Sequence, residues 1–352
     1  MTVRLTIGVF RYRLPFVKPW RYGGRTLTHR EGRLVRIDDA ETGRVGWGEA
    51  APLPGFGVEE LQEIDRALKS AIAMPLSDDP VSLVEELNQN AWQRLPASRC
   101  ALVTALMDAS CAGSLASALT PNAARRVKCH LAAGAVMAPV RILDSAWQTA
   151  KLKVGLVDNP RAEATALLAW ISANPMHRFR LDASGQWDAA RLRSFCNTLG
   201  AGADHVELLE QPTPPADVDA LLDVASWSPI PIWADESVVS ERWRELRGGV
   251  AGIVLKPMVC GGPDRAMAIA GELGLSAMVT TSLETAVGRA MCLHVAAALD
   301  VGEHRAHGLA TGSWLAGDVL ERGESTETPL LFLSEGPGLG LPVVGGADVF
   351  AE

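Results

Sequence analysis

The side chains best suited to chemistry recur where short apolar runs give way to loops. Lys151-Leu152-Lys153 lies on one such run, Asp182 ends the next, and Glu210, Asp235-Glu236, Lys256 and Thr280-Thr281-Ser282 follow in order. Three carboxylates on three successive strands can converge on one hard cation, which prefers oxygen ligands, and Mg²⁺ is the natural candidate. Lys151 and Lys153 are two residues apart and therefore share a face of their strand. Lys256, four strands further on, lies across from them if the strands close into a ring. Such a layout suits removal of a weakly acidic hydrogen next to a carboxylate. A divalent ion on that carboxylate attracts more strongly as negative charge builds. A neighbouring ammonium and a nearby cation disfavour the charged form of a lysine, which makes Lys153 the candidate base and Lys151 its electrostatic modifier.

Taken singly, each piece has an ordinary structural explanation. A lone K-x-K is usually a solvated strand end. Glu210 before Gln211-Pro212 can simply terminate a strand, Asp235-Glu236-Ser237 can cap a helix, and Lys256-Pro257 can end a run. Their joint order at a regular period argues for a built site. Trp187, Trp233 and Trp243 read as core, and His130 and His307 are near strand ends without a clear role.

The elements that would hold these groups follow from periodicity. Val3–Phe10, Leu34–Ile37 and Val45–Trp47 alternate apolar and polar residues, which predicts an antiparallel meander. Helical spacing follows around Leu61 to Ile72, in Val81–Trp92 and in Ala101–Leu119. After Arg125 the rhythm becomes a βα repeat, with apolar runs at Val127–Leu131, Ala150–Val154, Phe179–Leu181, His205–Leu209, Ile230–Ala234, Gly252–Leu255, Ser276–Val279 and Ala306–Leu309. Eight continuously apolar runs predict an α/β chain with a (β/α)₈ barrel, whose chemistry belongs at the strand ends. The expected division is an α+β capping domain over 1–125, a catalytic barrel over 126–315, and a C-terminal segment, 316–352, that returns to the cap.

The bulk numbers narrow the class. With 352 residues, 48% of them hydrophobic and 21% charged, the chain can build a large core. A net charge of −8 argues against sequence-independent nucleic-acid binding. The six cysteines are dispersed and expected to be reduced. No run approaches the about 20 apolar residues that cross a bilayer, and the first residues lack a signal-peptide pattern. A cytoplasmic protein acting on a small-molecule carboxylate is expected, with no nucleic-acid or membrane partner.

Lys151-x-Lys153, Leu181-Asp182-Ala183, Leu209-Glu210-Gln211-Pro212, Ala234-Asp235-Glu236-Ser237 and Val254-Leu255-Lys256-Pro257 together resemble the muconate-lactonizing subgroup of the enolase superfamily. The string from Gly46 to Phe56, GWGEAAPLPGF, is similar to the capping loop of that subgroup, especially of its o-succinylbenzoate synthase family. The closing Gly336-Pro337-Gly338-Leu339-Gly340 resembles the superfamily's return to the cap.

The resemblance implies that Asp182, Glu210 and Asp235 bind Mg²⁺, and that the metal binds the substrate carboxylate. It implies Lys153 as the base, then as the acid that assists departure of hydroxide as water. Lys256 would stabilise the enediolate, and Lys151 would hydrogen-bond the carboxylate. A succinyl arm would meet Pro54, Gly55 and Phe56 of the cap, a loop around Arg21 to Arg30 with Arg30 as its anion partner, and Thr281 and Ser282. Ser184 stands where the family usually has Asn, a departure expected to rearrange or remove a hydrogen bond beside the ligands and to alter their orientation, and Glu236 flanks the same ligands. The same lysine pair also serves N-acylamino acid racemases, dipeptide epimerases and muconate cycloisomerases. A Schiff-base aldolase would leave the carboxylates without a purpose, and a non-catalytic binding barrel would leave the whole set so.

Overall fold

The computed structural model describes residues 4–22, 25–53, 59–73, 80–302, 305–320 and 327–341. Its N-terminal part opens with three antiparallel strands, β1 (Leu5–Tyr22), β2 (Arg25–Asp39) and β3 (Arg44–Ala50), in the order β1-β2-β3. The alternation that predicts this meander continues further than the expected runs. β1 and β2 pair from Leu5↔Asp39 out to Tyr22↔Arg25, with a shift in register between Pro15 and Trp20, where proline cannot donate to the ladder. Of the segment expected as a loop from Arg21 to Arg30, the described residues, 21–22 and 25–30, therefore belong to strands.

Five helices follow: α1 (Leu61–Ala73), α2 (Pro80–Leu87), α3 (Asn90–Gln93), α4 (Pro96–Ser110) and α5 (Leu115–Leu119). α4 starts with proline in its first turn, where the missing N–H costs nothing, and is buried almost all round. It packs on β3 and β2 on one side. Side chains at Gly46 or Gly48 would collide with the carbonyls of Ala105 and Ala101, so two glycines on β3 allow the helix to settle directly on the sheet.

From residue 126 the chain builds a ring of strands. β5 (Leu131–Ala135), β6 (Thr149–Lys153), β7 (Arg178–Asp182), β8 (Val206–Glu210), β9 (Ile232–Ala234), β10 (Gly252–Leu255) and β11 (Ser276–Val279) form one seven-stranded parallel sheet in chain order. The first expected run is divided at His130 into β4 (Arg126–Cys129) and β5. The eighth run contributes only β12 (Ala306–His307), which pairs parallel with β4, while Gly308 bridges to Thr280 beyond β11. His130 N–H also donates to His307 C=O at 3.0 Å. This short strand spans the space between the two edges of the sheet and makes the curl a barrel. β13 (Leu330–Phe332) runs antiparallel on the other side of β4.

The strands are largely buried, and in β9 and β10 every residue is covered. The covering helices are α6 (Pro160–Ala173), α7 (Ala189–Leu199), α8 (Val218–Trp227), α9 (Pro257–Cys260), α10 (Pro263–Leu273) and α11 (Ala286–Leu299). Asn159, Asp188 and Asp217 cap α6, α7 and α8 by accepting backbone N–H groups, which fixes where each strand-to-helix loop ends. Among the described residues the unit after β5 has no helix, and 3₁₀ turns in place of α-helices follow β9 and β12. The far side of α4 packs on α9, so the N-terminal part lies directly on the helix that follows Lys256. Near the C-terminus, Leu339 is buried and its N–H donates to Asp108 Oδ1 of α4 at 2.6 Å. Among the described residues no helix is long and apolar enough to cross a membrane.

Candidate active site

Parallel register aligns the site before any side chain is considered. Lys153 pairs with Asp182, Asp182 with Glu210, and Glu210 with Trp233, so the chemical groups of β6, β7 and β8 stand in one row and Asp235 follows just past the end of β9. Lys151, Lys153, Asp182, Glu210, Asp235, Glu236 and Lys256 all line one cavity of about 220 Å³ at the C-terminal end of the strands. That is the mouth on which loops of a parallel barrel converge.

The amines and carboxylates are paired within it. Lys151 Nζ lies 2.8 Å from both Glu210 oxygens and 2.9 Å from Asp182 Oδ2. Lys153 Nζ is 3.2 Å from the same Asp182 oxygen and donates to Ser184 Oγ. Lys256 Nζ bonds both oxygens of Asp235. Lys153 is the most open of the three, with 42% of its side chain exposed against 17% for Lys151 and 13% for Lys256.

Burial penalises every charge here, so the shifts report which pairings prevail. It works against the ammonium of Lys151, yet Asp182, Glu210 and Asp235 outweigh it and raise the lysine above its ordinary range. Lys256 is raised in the same way, burial being overcome by Asp235 and Glu236. For Asp182, burial is overcome by Lys151 and Lys153, and its carboxyl falls below the usual range. Glu210 is fully covered, and burial, only partly offset by Lys151, pushes it up to about 8. Burial likewise raises Asp235 and Glu236.

The loops that carry these groups are tightly specified. Ser184 and Gln211 have positive φ, 45° and 40°, directly beyond β7 and β8. Non-glycine residues in that region persist only where their surroundings over-determine them. Ser184 donates from both N–H and Oγ to Asp182 Oδ1, at 2.9 and 2.8 Å, so serine at this position supplies a hydrogen bond to the carboxylate. Gln211, which composition and spacing gave no reason to single out, is fully buried. Its Oε1 accepts the N–H groups of Asp235 (3.0 Å) and Ser237 (3.2 Å), and its Nε2 donates to Thr213 C=O and Ser237 Oγ. Asp235 heads the following 3₁₀ turn without capping it, so its carboxylate is left to Lys256.

The donor set suits a hard divalent cation. Four carboxyl groups face three amines in the cavity, all four offer oxygen, and Glu236 Oε2 is buried with no hydrogen-bond partner. Among the described residues no three acidic, histidine or cysteine side chains close around a single point. The ammonium of Lys151 stands between Asp182 and Glu210, and that of Lys256 covers Asp235.

The remaining walls partly depart from expectation. Thr281 and Ser282 line the cavity, as do Trp20 and Leu53 from the N-terminal part, and Leu283, Thr311 and Trp314. Arg30 does not line it. It is 2% exposed, and its guanidinium donates to the carbonyls of Pro52 (2.8 Å), Leu283 (3.0 Å), Ser282 (3.2 Å) and Ala51, which leaves no fork for an anionic tail. Pro54, Gly55 and Phe56 lie outside the described residues. His130 does face the cavity, and burial, then Arg180 and Lys151, hold it well below its ordinary value and therefore neutral. The signals for Trp20 and Trp314 were absent because single tryptophans in a strand or a turn carry no spacing.

Comparison with known proteins shows the family. Residues 135–345 match the family described as enolase C-terminal domain-like, and residues 4–90 match the family described as MenC, N-terminal domain. The o-succinylbenzoate synthase of Edwardsiella ictaluri is 31% identical over 84% of this chain and 87% of its own length. That of Thermosynechococcus vestitus is 32% identical over 81% and 86%. Among solved structures, a dipeptide epimerase from Enterococcus faecalis, complexed with Mg and the dipeptide L-Leu-L-Tyr, superposes with a TM-score of 0.80 at 24% identity, covering 96% of this chain and 99% of the other.

Proposed function

The chain belongs to the enolase superfamily, and from that premise we propose that it is an o-succinylbenzoate synthase acting in menaquinone biosynthesis. Its substrate would be 2-succinyl-6-hydroxy-2,4-cyclohexadiene-1-carboxylate, and its reaction a syn-dehydration to o-succinylbenzoate. The observation that carries the reading is the single cavity in which Lys153, on β6, and Lys256, beyond β10, meet the acidic row of β7, β8 and β9. In this reading the capping unit, residues 1–125 with 316–352, covers a barrel of residues 126–315.

Lys153 Nζ takes the proton α to the substrate carboxylate, and the resulting ammonium returns it to the departing hydroxyl on the same face of the ring. One residue thus acts as base and then as acid, and loss of water makes the ring aromatic. Lys256 approaches from the opposite side of the barrel, and its ammonium, kept protonated by Asp235 and Glu236, stabilises the negative charge that develops on the carboxylate. Lys151 is likewise a fixed cation, kept protonated by Asp182 and Glu210 and placed to hydrogen-bond the carboxylate. Asp182, Glu210 and Asp235 would hold Mg²⁺, with Ser184 and Glu236 orienting them. When bound, that ion would supply a Lewis acid for the carboxylate oxygens.

Lysines on both sides of a cavity also suit a two-base exchange at one carbon, the chemistry of an N-acylamino acid racemase or dipeptide epimerase, and the dipeptide epimerase named above shares the fold. The discriminating experiment offers the purified chain with Mg²⁺ the cyclohexadiene hydroxy-acid, N-succinyl amino acids and dipeptides. Dehydration with the highest kcat/KM supports the synthase. Turnover of the amino acid derivatives alone would overturn it.

A further inference from the structure

Two buried charged side chains of the N-terminal sheet make no contact with the cavity but determine one of its walls. Glu49, on β3, is 1% exposed. Its carboxylate accepts Thr285 N–H at 3.0 Å, Thr285 Oγ1–H at 2.6 Å, Gly288 N–H at 2.9 Å and Tyr12 O–H at 2.5 Å. Thr285 and Gly288 open α11, so a carboxylate from one part of the molecule satisfies the free N–H groups of a helix in the other. A Cβ on Gly288 would lie 2.9 Å from Glu49 Oε2, so glycine there makes room for the approach. Arg30, on β2, grips the carbonyls of Ser282 and Leu283 immediately upstream. Leu283 has φ of 64°, a conformation that a leucine holds only under constraint. Its side chain packs with Phe16, Leu53 and Leu315. The Arg30 anchor falls within the segment Thr281-Ser282-Leu283, all three of which line the cavity, and the Glu49 anchor follows directly after it.

We propose that Arg30 and Glu49 are positioning residues: together they clasp the N-terminal sheet to the segment after β11 and set the wall that receives the part of the substrate remote from the reacting carbon. This inference rests on the proposed reaction only for the substrate used to read it. The clasp itself is a property of the chain.

The test pairs two measurements on Arg30→Met and Glu49→Gln in the full chain. Hydrogen–deuterium exchange of the amides from Ser282 to Gly288 is expected to quicken about tenfold, while α6 is unchanged. With the cyclohexadiene hydroxy-acid, KM is expected to rise about tenfold and kcat to stay within about threefold, because a wall contact binds ground and transition states alike. Arg30→Lys, which keeps the cation but not the fork, should recover part of both effects, and it replaces Arg30→Met if that chain does not fold. Unchanged exchange in the segment overturns the clasp. Quickened exchange with unaltered KM, or a loss confined to kcat, overturns the positioning role. If the parent chain turns over neither this acid nor a dipeptide, the functional reading fails, and exchange alone then decides the clasp with the same two outcomes.

Discussion

Replacing Gln211 with leucine keeps the volume of a fully buried side chain and removes its hydrogen bonds. Two backbone donors, the N–H groups of Asp235 and Ser237, then lose their acceptor in a region closed to water. Each orphaned buried donor costs about 1–3 kcal/mol. The Ser237 hydroxyl retains Pro215 C=O as a partner, so it adds little. Gln211→Leu should therefore destabilise the fold by about 3 kcal/mol, read as a lower urea midpoint at unchanged slope. The local effect is more telling. Asp235 is positioned through its own N–H, and loosening it should weaken Mg²⁺ binding about tenfold in a calorimetric titration, the usual order for groups that support a metal ligand. If the variant unfolds within about 0.5 kcal/mol of the parent and binds Mg²⁺ equally well, Gln211 does not hold Asp235 in place and the reasoning is wrong.

Other expectations are more direct. Lys153→Ala and Lys256→Ala should each lower kcat by about a thousandfold or more with unaltered circular dichroism, and near-normal turnover by the first would remove Lys153 as the base. Treatment with EDTA should abolish activity and Mg²⁺ restore it, while Asp235→Asn should raise the Mg²⁺ concentration needed for half-maximal rate. Burial, reinforced by Glu49, raises Glu284 to about 7 from an ordinary 4.5. A carboxyl raised in the folded state contributes stability that is full below its unfolded value and is lost as pH rises through the folded one, so the loss falls between about pH 4.5 and 7. Glu284→Gln should accordingly stabilise the chain by about 3 kcal/mol at pH 8, a gain that shrinks towards pH 5 in urea titrations at the two pH values.

The barrel strands were legible because short, mainly apolar runs recur between amphipathic stretches, and the groups after them were legible because each ends a run in order along the chain. Lys153, Asp182 and Glu210 fall in one row by parallel register. The division of the first run at His130 and the brevity of β12 were not legible, since both depend on how a ring closes rather than on local pattern. Arg30 illustrates a different gap. A sequence shows that an arginine stands near a strand start, but whether its fork meets an anion or four carbonyls is decided by residues about 20 and 250 positions away. Gln211 was hidden for a similar reason, because its partners belong to the next strand's loop.

Trp20 and Leu53 belong to the N-terminal sheet and its following segment, whereas every amine and carboxylate of the cavity hangs from the barrel. Recognition is thus shared between that N-terminal stretch and the wall after β11, whereas reactivity is written in the barrel alone. A lineage could admit a new acid by editing the apron of the pocket and leave the proton-handling floor untouched, and substitutions that retune preference should gather in the first sixty residues and in the segment from Thr281 to Leu283.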